Sequence, residues 1–598
     1  MIPVLQRPKE LLQSTWQMEC ATWPANWQGS GRALASGEIE QLKRQACRCS
    51  DWQALRCEAE FLPEGYHNIE FMGACFLSAQ RGETIIEGVS RPCGLSNATL
   101  HEVWVGLGVF VRDCFLLSRL WISEACQLVS NGRICGTEKG WAQAWTMNFG
   151  NELGGRPCEA LPELTLAMAE YRCQKGLKDA AWASEVQATW QACAKPYSIL
   201  GRGVRIFNTP LVRDVFLGAH TCVDSALRLE QVVSLSASDE PVIMGAGVQL
   251  ERAILQWGAQ VLGSAQVRTS IIGEQSSVEN AAMVESSYIG PNNHLGKGEV
   301  TACLLGPFVG LHHQSLLIGV VWPEGRGNVG YGANIGSNHT GKAPDQEFFP
   351  GEGCFFGIGT TIKFPAHLRK SPYSIFSSGV TVLAQKVEMP FSLINSRSEL
   401  EGGSPALNEI FPGWVLGENL YALLRNELKF KQRNKARRFQ LDPRWLREDT
   451  ALLMLEAWRK CSRCSGRAWY DARHLPELGQ NVLSEGSRLK AVELYGRFIT
   501  FFALGQVLGV GGSVDFKIWQ AWLDEQGLPW QDVGRLKIIY GQELERQRLD
   551  IIASKTKDFT RGRKIIPDYD DVHQSLESDA VILWATQRCR AFAQGLLG

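Results

Sequence analysis

The chain has 598 residues and a formal net charge of −1, with 45% hydrophobic and 21% charged residues. That length can bury a large core and favours more than one domain. A near-neutral balance gives no bulk electrostatic case for nucleic acid or an anionic membrane, so no nucleic-acid partner is expected.

The opening stretch "MIPVLQRPKELLQ" lacks an apolar signal core, so a cytoplasmic location is expected. The 18 cysteines follow no regular framework and read as reduced, mostly buried thiols. Residues 1–80 read as a mixed N-terminal cap, helical over "GEIEQLKRQACRCSDWQALRCEAEF". Residues 81–150 are expected to hold the first coils of a repeat structure. A helical insertion is expected over 151–200, because 162–195 opens with proline and has helical periodicity.

Residues 201–400 carry the clearest signal. Ile272-Gly273, Ile289-Gly290, Leu305-Gly306, Ile318-Gly319 and Ile335-Gly336 recur at spacings of 17, 16, 13 and 17. Within a repeat, aliphatics fall six apart, as in Ile272, Val278 and Val284, or Val242, Val248 and Ile254. Six is not a helical period. It suits short strands meeting at corners, with one aliphatic per edge pointing inward and a small residue at the tight corner. Three such edges make a coil of a parallel β-helix, so the expected fold is a β-solenoid with a helical insertion and an α-helical C-terminal domain over 401–598.

Within that last region, helices are expected near 414–438, 443–460, 487–508 and 534–555. The uncharged stretch "FITFFALGQVLGVGGSV" (498–514) is shorter than a ~20-residue span and reads as a buried helix, so no membrane span is expected. Cys461 and Cys464 form a single C-x-x-C with no second pair at zinc spacing, and no metal site is assigned. Basic residues crowd 425–447: Arg425, Lys429, Lys431, Arg433, Lys435, Arg437, Arg438, Arg444 and Arg447. They read either as a solvated helix face or as an anion site for a nucleotide or a CoA phosphate.

The repeat resembles the left-handed β-helix hexapeptide-repeat superfamily, typified by acyltransferases of lipid A and amino-sugar biosynthesis. "SNATLH" (96–101), "NELGGRP" (151–157), "HHQSLLIG" (312–319), "GSNHTGKAPDQEF" (336–348), "FFGIGTTIKFPA" (355–366), "SPYSI" (371–375), "MPFSLI" (389–394), "LRNELKFKQRNK" (424–435) and "TRGRKIIPDY" (560–569) resemble, more narrowly, a family of large bacterial hexapeptide proteins classed as a domain of unknown function (DUF4954-like). The resemblance implies left-handed coils and a homotrimer, although the helical additions stand in the way of that packing. It also implies a histidine projecting from a coil beside a loop that closes over an acceptor.

The residues fit that picture. Only ten histidines occur, and His312, His313 and His339 fall within 28 positions. Acyl transfer from a thioester needs a general base near neutral pH, which imidazole supplies. In consecutive strand positions His312 and His313 would point to opposite sides. The loop 336–353 matches G-x-x-x-x-G-K, but Ala343 replaces the Mg²⁺-binding hydroxyl and Pro344 disfavours the following helix. It reads as an acceptor-binding loop rather than a P-loop.

The expected catalytic residues are His313, His312, His339 and Asp345, the carboxylate orienting a histidine. The expected substrate contacts are Asn338, Thr340, Lys342, Gln346, Glu347, Lys363 and Tyr373. The expected function is an acyltransferase-like transferase acting on a sugar or sugar nucleotide. No cofactor is expected to stay bound; acyl-CoA or acyl carrier protein would be the co-substrate. One alternative is a non-catalytic scaffold that binds a nucleotide sugar or a protein partner. A further one is a metal-dependent hydratase using three histidines, against which His312 and His313 diverge.

Overall fold

The computed structural model describes residues 15–24, 30–336, 347–397, 408–510, 516–573 and 575–595. Its centre is a parallel β-solenoid whose inward side chains stack in three columns. On the first face Val261, Val278, Leu295, Leu311, Val329 and Phe356 stand in register. Val267, Val284, Val300, Leu317, Ile335 and Ile362 do so on the second. Leu255, Ile272, Ile289, Leu305 and Trp322 form the third. These residues are essentially inaccessible to solvent. Each aliphatic withdrawn from water contributes about 1.5–3 kcal/mol before chain entropy is counted.

Two positions before each aliphatic sits a second buried residue that serves the corner: Ser276, Ala282, Ser287, Asn293 and Cys303. The polar ones satisfy backbone groups that the turn leaves open. Asn293 donates to the carbonyls of Gly290 and Gly306, and its backbone N–H donates to Ser276 Oγ at 2.9 Å. Buried side-chain oxygens are tolerated here because they are paired. The corner glycines answer two needs: Gly319 and Gly336 take a left-handed backbone, with φ +65° and +98°, and the others allow a close approach of coils. Gly290 does not need a left-handed backbone; a Cβ there would lie 2.6 Å from the Leu305 carbonyl oxygen of the next coil.

The parallel ladder extends back beyond residue 81. Arg48–Cys49 pairs with Glu70–Phe71, and Arg56–Cys57 with Phe76–Leu77. The helical stretch expected for 37–61 is therefore only helix α2 (Ser36–Arg44), preceded by α1 (Thr15–Thr22). Residues 83–92 leave the coils as an antiparallel hairpin.

The third face is apolar outside as well as inside. Phe216, Val233, Ile254, Ile271, Tyr288, Leu304 and Val321 point outward there and are buried by the insertion. The insertion is an antiparallel hairpin (146–159) followed by α3 (Leu166–Gln174) and α4 (Ala180–Cys193). Trp141, Trp182 and Trp190, with Trp16 from α1, fill the contact. This accounts for the doubled aliphatics Ile271-Ile272 and Leu304-Leu305: each pair faces two cores.

At the far end the parallel order stops. Asn408–Phe411 pairs antiparallel with Leu393–Ser396, closing an edge that would otherwise be open to strand addition. Helices follow: α5 (Trp414–Glu418), α6 (Leu420–Arg433), α7 (Glu448–Arg463), α8 (Glu485–Val507), α9 (Phe516–Glu525) and α10 (Val533–Ile565). Among the described residues no helix is long and apolar enough to cross a membrane. Helix α8 instead buries Phe498, Ile499, Phe501 and Phe502.

Candidate functional site

Helix α6 packs beside the first face and encloses a groove of about 830 Å³. The outer surfaces of successive coils form the floor, including Ser277, His294, His312, Asn328 and Phe355. The helix forms the wall. Its apolar stripe, Leu420, Leu423, Leu424 and Phe430, turns inward. Arg425, Lys429 and Arg433 lie four residues apart, on one stripe with ~6 Å between successive positions, and they line the groove with Lys435. Phe430 packs on Phe308 with ring centroids 4.7 Å apart.

The end of α6 is pinned to the coils. Asn292 donates to Asn434 Oδ1 at 2.8 Å, and the Lys435 N–H donates to Asn292 Oδ1 at 3.0 Å. Beyond it the backbone N–H groups of Arg437 and Arg438 donate to Glu274.

His294 and His312 sit on adjacent coils. The register places Ser277, His294 and Gly310 in one row. The two ring centroids are 5.0 Å apart. His294 Nδ1 lies 2.6 Å from Ser277 Oγ and 3.1 Å from Glu279 Oε1, so a hydroxyl and a carboxylate orient that imidazole. Burial lowers the pKa of His312 below the ordinary imidazole value, and His294, His313 and Lys429 add to the effect. At neutral pH His312 is therefore a neutral base rather than a cation.

The cations of the wall lack counter-charges. Among the described residues no carboxylate pairs with Arg425, Lys429, Arg433 or Lys435. Burial, with Arg433 and Arg425 nearby, pushes the Lys429 ammonium below its usual range. The remainder of the basic stretch behaves oppositely. Arg437 pairs with Asp239, Arg438 with Glu240 and Glu274, Arg444 with Asp442, and Arg447 with Glu352. Of the nine basic residues, four line the groove, Arg437, Arg438 and Arg447 tie the segment after α6 to the solenoid, Arg444 pairs within its own segment, and Lys431 on α6 does none of these.

The residues expected from sequence are placed unevenly. His312 enters the groove. His313 turns away at a corner, exposed, with φ +62°, so the strand alternation expected for the pair does not apply. Its ring centroid is 6.0 Å from that of His312. His339, Asp345, Asn338, Thr340, Lys342 and Gln346 lie outside the described residues.

Glu347 is held by Arg156 of the insertion hairpin, at 2.5 and 2.8 Å. Lys363 follows the second-face strand Thr361–Ile362 and is not part of the groove lining. Tyr373 is buried, stacks on Phe391, and donates to Glu352 Oε1 at 2.6 Å, so it offers no ring to a ligand.

Sequence reasoning missed His294. The signal was available: it precedes His312 by 18 residues, close to one coil. Among the described residues no group of three or more His, Cys, Asp or Glu side chains is placed to hold a metal ion.

Comparisons with known proteins identify relatives without an activity. The model of a domain of unknown function, DUF4954, matches residues 31–407. An uncharacterized protein of Treponema pallidum (strain Nichols) is 24% identical over 423 residues, 68% of this chain and 57% of that protein. The matched stretch therefore spans a little over half of the relative's length.

Proposed function

This chain belongs to the DUF4954 family, a domain of unknown function, and from that premise we propose that its groove is an acyl-transfer site for a phosphate-bearing ligand. The observation that carries this reading is that His312 shares the groove with a row of cations, Arg425, Lys429, Arg433 and Lys435, that have no carboxylate partner among the described residues.

The chemistry follows from the layout. His312 accepts the proton of an acceptor hydroxyl or amine as that atom attacks the thioester carbonyl of an acyl-CoA or acyl carrier protein. The new O–C or N–C bond forms, the C–S bond breaks, and the thiol leaves protonated. His294, oriented by Ser277 and Glu279, sets the position of His312. The wall cations bind phosphates of a nucleotide sugar or of the CoA moiety as charge-assisted contacts. Phe308, Phe355 and Phe430 supply apolar area for a base or pantetheine chain.

The five-to-six-residue steps between columns support hexapeptide coils; that the coils are left-handed is what the resemblance to the hexapeptide-repeat superfamily implies. The wall comes from the same chain, so this reading needs no second subunit, and a homotrimer is not required by it.

A second reading keeps the groove and removes the turnover: a solenoid that binds a nucleotide sugar. One experiment separates the two. The full chain is incubated with acyl-CoA and nucleotide-sugar pairs; melting shifts report binding, and release of free thiol reports transfer. The transferase reading predicts thiol release that His312→Ala abolishes while the melting shift persists. A melting shift with no thiol release leaves the binding protein.

A further inference from the structure

The coils preceding residue 212 carry a second concavity, of about 770 Å³, on a different stretch of the solenoid from the histidine groove. Its edge is a row of corner residues, one per coil: Asn68, Asn97, Asp113, Ser130 and Asn208, all with φ between +50° and +56°. Successive coils are ~4.8 Å apart, so the row extends ~19 Å. Asn68 Nδ2 donates to Asn97 Oδ1 at 2.9 Å, and Asn97 Nδ2 donates to Asp113 Oδ1 at 2.7 Å. Among the described residues the Ser130 hydroxyl and the Asn208 carboxamide make no side-chain hydrogen bond. The row therefore presents both donors and acceptors to solvent.

A ladder of asparagines has a structural use, since it tightens the corner. It gives no reason for the second feature. The strand Phe110–Ile122 carries one residue more than its neighbour at this point: Ala98 is opposite Cys114, but Leu100 is opposite Leu117. Such a bulge re-aims a side chain, and here it turns Phe115 out of the solenoid, 69% exposed, into the lining of the concavity. An exposed phenyl ring beside a row of carboxamides opposes the burial that otherwise places phenylalanine. The charges do not suit a phosphate: Arg48 lies near Glu70 and Asp113, and no cationic row like that of α6 is present.

We propose that this concavity binds a neutral saccharide chain. A pyranose has an apolar C–H face, which packs on an aromatic ring, and equatorial hydroxyls at its edge. Carboxamides and a carboxylate pair with adjacent hydroxyls because each offers two hydrogen-bonding atoms. Phe115 is the platform, Asn97, Asp113 and Asn208 are the hydroxyl contacts, and the repeat of the coils lets successive sugar units meet successive rows. The site does not depend on the histidine groove.

The test uses the full chain with maltotriose, cellotriose and triacetylchitotriose, read by saturation-transfer difference NMR. At least one trisaccharide should receive saturation at its ring protons. Phe115→Ala should reduce that signal at least fivefold, Phe115→Trp should keep it, and Lys429→Ala should leave it unchanged. The proposal is overturned by no transfer to any of the three, or by transfer that survives Phe115→Ala. It is also overturned if Phe115→Ala only lowers the sedimentation coefficient, because the ring would then be a contact between copies of the chain.

Discussion

His294 and His312 lie on adjacent coils with their ring centroids 5.0 Å apart, and Gly310 is the ladder partner of His294. One imidazole is held by Ser277 and Glu279; the other is partly withdrawn from water. The pair is asymmetric, and in the proposed reaction that asymmetry assigns the base to His312.

The first expectation concerns pH. The folded state lowers the His312 pKa below the unfolded value of about 6.5. Between the two values the unfolded chain binds the extra proton, so stability from this group is complete above about pH 6.5 and falls as pH drops toward the folded-state value. Histidine ring NMR of the full chain should show His312 titrating below the ordinary range. His294→Ala should move its titration upward by removing one of the groups that lower it. An unchanged value in that variant would leave burial, His313 and Lys429 as its causes.

Charge removal on α6 should act on binding and not on folding. Lys429→Ala or Arg433→Ala is expected to weaken binding of an acyl-CoA about tenfold, ~1.4 kcal/mol, with the difference shrinking at high salt. Arg444→Ala removes a cation already paired with Asp442 and should leave affinity within twofold. Isothermal titration at two salt concentrations makes the comparison.

Gly310→Ala tests the packing of Asn328 and His312 in the groove floor. A Cβ there would lie 2.8 Å from Asn328 Oδ1 and 3.5 Å from His312 Nε2. The Asn328 carboxamide can rotate away, so the stability change should stay near 1 kcal/mol. Thiol release should fall at least tenfold, while the melting shift caused by ligand is retained.

Arg447 anchors the segment after α6 by a two-point contact to the buried Glu352, which Arg326 and Tyr373 also reach. Arg447→Ala leaves that carboxylate short of one partner and should cost about 3 kcal/mol, measured by urea denaturation. The arginines hold the Glu352 pKa below the usual carboxylate value against its burial. Its contribution is present above the unfolded-state pKa and is lost as pH falls through the folded-state one. Acidification should therefore narrow the gap between wild type and Arg447→Ala.

The solenoid was legible because its signal is local and repeated: Ile272, Val278 and Val284 each begin a new face, and the register confirms the columns. The doubled aliphatics were visible too, yet nothing local says that the insertion covers them. The groove was less legible. Its floor and wall are separated by 70 residues or more, from Phe355 to Arg425 at the nearest, and contacts such as Asn292 to Asn434 leave no periodic trace. Tyr373 and Glu347 looked available because their partners, Glu352 and Arg156, are remote in sequence or role. His294 stands 18 residues from His312, so proximity along the chain hides it and only the coil period brings the two rings together.

The pinning of α6 by Asn292 and Glu274 has an evolutionary corollary. The family match ends at residue 407, and the cationic wall begins at Arg425. The groove is thus a composite whose floor lies within the matched residues and whose wall lies beyond them. A chain with the same coils and a different tail would keep the floor and exchange the charges that face it.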